Sequence, residues 1–129
     1  MNKRVINDEI DMAYKLLSDH KIANNGVIDK TFRGQISTFG AAITMGSLLA
    51  AIAYFSANGG ASVERQNLLK VIYDIIKSRN AGKNMPAGLF EYANACRNRG
   101  VLAERVCKEE ILNAAIATKL AMNLYELKE

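Results

Sequence analysis

Residues 32–55 decide the fold, and they read FRGQISTFGAAITMGSLLAAIAYF. In the first half of this stretch, large apolar residues recur at steps of four, three and four, at Phe32, Ile36, Phe39 and Ile43. This spacing places them on one side of an α-helix. It predicts a helix that starts at Asp29, as the N-cap, and runs to about Ile43.

The second half of the stretch predicts another helix, over residues 47–57. The segment Thr44-Met45-Gly46-Ser47 interrupts the first apolar pattern, and the residues that follow are apolar almost all round. A helix without a polar face is usually buried on every side. The pattern therefore predicts that this helix is the central, buried helix of the fold.

The first segment of the chain predicts an amphipathic helix over residues 2–22. Its apolar stripe consists of Ile6, Ile10, Ala13 and Leu17, and the opposite side carries Asp8, Glu9, Asp11 and Lys15. Asn24-Asn25-Gly26 then marks a turn, because Asn and Gly accept left-handed backbone conformations.

The rest of the chain predicts three more helices. After the loop Asn58-Gly59-Gly60, Ser62 is expected to cap a helix whose apolar face is Leu68, Leu69, Ile72, Ile75 and Ile76. Another helix starts near Pro86, with Leu89, Phe90, Ala93 and Cys96 as its face, and Asn98-Arg99-Gly100 interrupts it. The last covers residues 102–127, with an apolar side that includes Val106, Ile111, Leu112, Ala115, Thr118, Ala121, Met122 and Tyr125.

These patterns predict an all-α fold, a compact bundle of five to six helices with a long C-terminal helix. The 129 residues are 50% hydrophobic and 23% charged, which is typical of one globular domain over residues 1–129. No apolar run follows the N-terminus as in a signal peptide, and the most apolar stretch, residues 45–55, is too short to cross a bilayer. We expect a cytoplasmic protein with no membrane partner.

Catalytic and metal-binding patterns are missing from the sequence. Gly82-Lys83-Asn84 lacks the other residues of a phosphate-binding loop, and the single histidine, His20, lies in a polar stretch. Cys96 and Cys107 are expected to be reduced thiols packed on helices. Glu109 and Glu110 point about 100° apart on a helix and are expected to be solvated. We therefore expect no enzymatic activity, no metal and no cofactor.

Basic residues are the remaining functional signal, since the net charge of +4 permits contact with a polyanion. Lys70 and Lys77 are two helical turns apart and share a face, on which Asp74 dilutes their charge. A solvated rim and a stripe along a phosphate backbone both fit this pattern. The RNA-backbone candidates are Lys30, Arg33, Lys70, Lys77, Arg79, Lys83, Arg97 and Arg99.

Residues 32–55 resemble the core of the Cmr small-subunit family, subunit five of the type III-B CRISPR effector complex. That family pairs an aromatic-Arg helix start with a Gly-Leu turn and an Ala-rich helix that ends in an aromatic pair. Here Phe32-Arg33 begins the motif, Met45-Gly46-Ser47-Leu48 occupies the turn and Tyr54-Phe55 ends it. Residues 116–128, IATKLAMNLYELK, resemble the closing helix of the family but lack its usual tryptophan.

The resemblance implies a non-catalytic protein in antiviral defence. Its copies would stack in a minor filament beside the backbone subunit, which cuts RNA, and would contact the CRISPR RNA and the target RNA. Only Arg33 matches a basic position of the family motif. The alternatives are a type III-A small subunit, a helical adaptor or self-assembling scaffold that binds protein only, and a small unrecognised enzyme.

Overall fold

The computed structural model describes residues 1–56 and 65–128. Within these residues it contains six helices and three very short strands, which confirms the predicted all-α bundle with a long C-terminal helix. The helices are α1 (Lys3–Asp19), α2 (Lys30–Met45), α3 (Leu48–Phe55), α4 (Gln66–Arg79), α5 (Leu89–Asn98) and α6 (Val101–Met122). The strands are β1 (Ala23–Asn24), β2 (Val27–Asp29) and β3 (Glu126–Lys128).

Short polar side chains start the first three helices. The side chains of Asn2, Asp29 and Ser47 accept hydrogen bonds from backbone N–H groups in the first turns of α1, α2 and α3. Such caps satisfy donors that have no partner inside the helix. The bond from Thr31 also lowers the pKa of the Asp29 carboxyl. The predicted cap Ser62 and the loop Asn58-Gly59-Gly60 lie outside the described residues.

Helix α6 is the centre of the bundle and packs against α1, α2, α4 and α5. Its buried residues include four alanines, whose small side chains let the neighbouring helices approach closely: Ala114, Ala115, Ala117 and Ala121. The prediction that α3 is the central helix is wrong. Helix α3 buries Leu48, Ala51, Ile52 and Phe55, whereas its Tyr54 is 61% exposed. An exposed alanine presents little apolar surface to water because its side chain is small. An Ala-rich helix can therefore lie at the periphery of the bundle.

The other predicted faces agree with the structure except at individual residues. The α2 face and the α4 face are buried as expected, as are Ile6, Ala13 and Leu17 of α1. The structure contradicts the prediction at three residues. Phe90 and Val106, predicted on apolar faces, are 39% and 63% exposed, and Glu9, predicted on the polar side of α1, is buried. In each case the tertiary neighbours of the helix, and not its periodicity, decide whether the side chain is buried.

A small sheet closes one end of the bundle. The predicted turn after α1 is confirmed: Asn25 and Gly26 have positive φ and form a two-residue connection between the antiparallel strands β1 and β2. Strand β3 pairs in parallel with β2, with Ile28 opposite Leu127. Helix α6 therefore ends at Met122, and its predicted extension to Leu127 is wrong, because the free edge of β2 supplies hydrogen bonds to that segment.

No helix within residues 1–56 and 65–128 combines the length and apolar character needed to cross a bilayer.

Candidate nucleic-acid interface

Three of the predicted basic residues gather around the linker between α4 and α5, residues 80–88. Lys77 lies in the last turn of α4 and Lys83 in the linker, and together they line a cavity of about 540 Å³ beside Met12 and Leu16 of α1. Lys83 also lines a groove of about 1000 Å³ with Arg99, the C-cap residue of α5. We call Lys77, Lys83 and Arg99 the linker cluster, in which Lys83 lines both cavities.

Local hydrogen bonds hold the linker in this position. The Asn80 side chain donates to the backbone carbonyl of Ile76 at 2.8 Å and ends α4. Gly82 has a φ of +88°, which lets the chain turn away from the helix. The Tyr73 hydroxyl donates to the carbonyl of Pro86 at 2.6 Å and ties the far part of the linker back to α4. Lys83 is therefore carried by a segment that is anchored on both sides.

The linker cluster has no acidic partner among the described residues, because none of its three cations forms a salt bridge there. Glu110, which shares the groove with Arg99, instead accepts a hydrogen bond of 2.6 Å from the Tyr92 hydroxyl. Lys77 and Lys83 are exposed, as is Arg99. Their positive charge is thus open to a polyanion.

Lys70 lies apart from this cluster although it shares helix α4 with Lys77. It lines a different cavity, of about 340 Å³, together with the acidic residues Asp74 and Glu91. Asp74 also lines the cavity of Lys77, so it lies between the two lysines as the sequence predicts. Its carboxylate is 2.7 Å from Nε2 of His20, which follows α1 as its C-cap.

Arg79 pairs with a buried carboxyl group. Its Nε lies 3.3 Å from Oε2 of Glu9, whose side chain is only 3% exposed, and Oε1 of Glu9 has no hydrogen-bond partner. Burial raises the pKa of Glu9 to about 7; Arg79 opposes this shift, while Glu110 and Asp8 add to it. Arg79 is therefore paired with an internal carboxyl group. Sequence reasoning missed this role because periodicity placed Glu9 in solvent.

The remaining candidates lie outside both cavities of the linker cluster. Arg33 donates from its Nε to Oδ1 of Asn123 at 3.0 Å, which ties α2 to the end of α6. Lys30 is exposed in the first turn of α2, next to the sheet, and Arg97 is exposed in the last turn of α5. The structure thus brings together three of the eight predicted residues.

Two polar residues of the groove were missed by sequence reasoning. Glu110 was expected to be solvated, but it is half-buried and binds Tyr92, whereas its neighbour Glu109 pairs with the N-terminal ammonium group. Desolvation and the neighbouring Glu110 carboxylate raise the pKa of the Tyr92 hydroxyl. The sequence contains no signal for this pair, since the two residues belong to different helices.

Comparisons of the chain with protein-family models, with curated proteins and with solved structures find no match. The described residues also contain no group of three or more His, Cys, Asp or Glu side chains that could hold a metal ion.

Proposed function

We propose that this chain is a non-catalytic small subunit of a type III-B CRISPR (Cmr) effector complex and that it contacts the RNA backbone. The observation that carries the RNA-binding part is the linker cluster, three exposed cations without acidic partners among the described residues, around two cavities that share Lys83 as a lining residue. The resemblance of residues 32–55 and 116–128 to the small-subunit family supports the choice of complex. The proposed site of action is the cytoplasm.

The proposed contacts are electrostatic. Lys77, Lys83 and Arg99 would each neutralise a phosphate of the CRISPR RNA or the target RNA and release its counterions. Contacts of this kind position a nucleic acid but do not read its sequence. The other partners proposed are the backbone subunit and further copies of this chain, stacked beside it.

Replacing Lys77, Lys83 and Arg99 together by glutamine is expected to weaken RNA binding and to reduce its salt dependence. Each phosphate contact on a single strand contributes roughly −0.7 to the slope of log K against log salt, so the slope should become shallower by about 2. Fluorescence anisotropy with a labelled single-stranded RNA over a series of KCl concentrations measures this slope.

A charge-matched control separates this site from the general effect of net charge. Lys3, Arg4 and Lys15 are exposed on α1, and replacing all three by glutamine removes the same charge elsewhere. The control should retain most of the slope of the unmodified protein. If the slope of log K against log salt became shallower by the same amount in both triple variants, the linker cluster would not be an RNA-binding site. Its residues would then be ordinary solvated surface.

A second candidate function, a protein-only adaptor, is favoured by one observation. Val101, Leu102 and Val106, at the start of α6, are 69%, 75% and 63% exposed. Purifying the tagged protein from its native host distinguishes the two functions. Recovery of CRISPR RNA with other effector subunits is the result expected from the proposed function, and recovery of a protein partner without RNA would favour the adaptor.

A further inference from the structure

The side of α6 that receives the start of α1 continues, uncovered, for two more turns. Glu109 pairs with the N-terminal ammonium group, and Oδ1 of Asn113 accepts a hydrogen bond of 3.0 Å from the backbone N–H of Asn2. Leu102, Val106 and Glu109 follow one another at steps of four and three, so they share this side of the helix. Leu102 is 75% exposed and Val106 is 63% exposed.

The direction of α1 explains why these turns are uncovered. Beyond the end of α6, the ring of Tyr14 stacks on that of Tyr125 with 4.5 Å between the centroids, and the Tyr125 hydroxyl donates to the Tyr14 carbonyl at 2.6 Å. Because Asn2 lies beside Asn113 and Tyr14 beside Tyr125, the two helices run in the same direction. Helix α1 therefore lies alongside the later turns of α6 and does not reach residues 101–108.

The uncovered turns adjoin an apolar groove between α1 and α6. Met1 is 67% exposed; its ammonium group contacts Glu109, one turn after Val106, and its side chain lines the groove. The groove has a volume of about 220 Å³, and its other apolar lining residues are Ile6, Ile10, Ile116 and Leu120. Exposed apolar surface of this extent is typical of an interaction site. We call Met1, Val101, Leu102 and Val106 the α6 stripe.

The charges around the α6 stripe are mainly positive. Arg105 is exposed and Lys108 half-buried on the same turns of α6, and Arg97 is exposed in the last turn of α5. None of these three cations forms a salt bridge within residues 1–56 and 65–128. Of the two acids at positions 104 and 109, Glu109 is already paired with the ammonium group. Charge complementarity therefore favours an acidic occupant.

We propose that the α6 stripe is the docking site for an acidic amphipathic helix of a partner protein. The partner helix lays aliphatic side chains on Leu102 and Val106 and places a carboxylate beside Arg105. A helix is the occupant because the same side of α6 already receives a helix, α1, two turns further on. This inference rests neither on the proposed RNA contacts nor on the choice of complex.

RNA does not account for this surface. A phosphate backbone would contact the cations around the α6 stripe but would leave its four apolar side chains in water, so their burial would contribute nothing to binding. An amphipathic helix contacts both kinds of side chain at once. The small size of the exposed area makes the association weak and transient.

The test uses two fluorescein-labelled peptides of about 20 residues, long enough to form a helix. Both have leucine at helical spacing, flanked by glutamate in one peptide and by lysine in the other. Fluorescence anisotropy with the full chain measures their affinities. The glutamate peptide is expected to bind about tenfold more tightly than the lysine peptide. Leu102→Gln combined with Val106→Gln should weaken its binding about tenfold.

Matched variants separate this site from other exposed residues. Met45 and Leu124 are 88% and 62% exposed elsewhere, and replacing both by glutamine should leave the affinity for the glutamate peptide unchanged. Arg105→Gln should reduce the preference for the glutamate peptide several-fold, whereas Lys70→Gln, an exposed lysine of α4, should not. Circular dichroism checks that each variant retains the helical fold.

Four results would overturn the proposal: no binding of the glutamate peptide, equal binding of the two peptides, equal losses in the stripe variant and in the Met45 and Leu124 variant, or self-association. Sedimentation velocity tests the last, since a dimer of the unmodified protein that is lost in the stripe variant would show that a second copy covers the stripe. Each result is independent of the salt dependence of RNA binding at Lys77, Lys83 and Arg99.

Discussion

Replacing Phe39 by alanine is expected to lower the free energy of unfolding by about 3–5 kcal/mol. Phe39 lies on the buried face of α2 and is 1% exposed. Its ring meets that of Phe55 edge to face, with 5.2 Å between the ring centroids and an interplanar angle of 72°. The substitution would therefore leave a cavity between α2 and α3 and remove an aromatic pair. Urea denaturation followed by circular dichroism measures the change.

Phe90→Ala is the matched control for this prediction. Phe90 is 39% exposed on α5, so the same change of side chain there removes much less buried surface. We expect Phe90→Ala to lower the free energy of unfolding by less than half as much as Phe39→Ala. Similar losses for the two variants would contradict the packing of α2 against α3 described above.

Raising the pH from about 4.5 to 7 is expected to destabilise the protein through Glu9. The pKa of Glu9 is about 7 in the folded protein and 4.5 for an ordinary glutamate. In this interval the unfolded chain has already released the proton that the folded chain still holds, so each rise in pH favours unfolding. The stabilising contribution of the protonated carboxyl is complete below pH 4.5 and is lost as the pH passes 7.

The expected size of this effect is about 3 kcal/mol, since each unit of pKa difference corresponds to about 1.4 kcal/mol. The carboxyl has no hydrogen-bond partner at Oε1, and a single guanidinium, that of Arg79, at Oε2. A buried charge with so few partners is expensive to form. The measurement is the free energy of unfolding by urea at several pH values between 4 and 8.

Glu9→Gln isolates the contribution of this carboxyl. Glutamine retains an oxygen for Arg79 but does not titrate, so the difference in stability between the variant and the unmodified protein should change with pH by about 3 kcal/mol. Asp11→Asn is the control, because Asp11 is an exposed acid on the same helix and does not contribute to the pKa shift of Glu9. Parallel pH profiles for Glu9→Gln and the unmodified protein would show that Glu9 ionises normally in the folded state.

Most helices could be predicted from the sequence, because their signals are local. The four-three-four spacing at Phe32, Ile36, Phe39 and Ile43 identifies a helix and its buried face without any knowledge of neighbours. The Asp29 cap and the Asn25-Gly26 turn are also local, since they depend on the backbone preferences of a few consecutive residues. These features correspond closely to what the structure contains.

The candidate site could be predicted only in part. The sequence identified eight basic residues, but charge in a sequence carries no information about which cations meet in space. The fold brings Lys77, Lys83 and Arg99 around one linker, and it places Arg79 against Glu9 and Arg33 against Asn123. Each of these partnerships joins residues from different elements, so no local pattern encodes it.

The sequence by itself determined that this protein is a bundle of helices, where most of them lie and which faces they bury, because helix periodicity and capping act over a few residues. Only the tertiary structure decided that α6 is central, that residues 126–128 form β3 and that Glu9 is internal. The physical reason is that desolvation, strand pairing and charge pairing depend on neighbours that are distant in the chain.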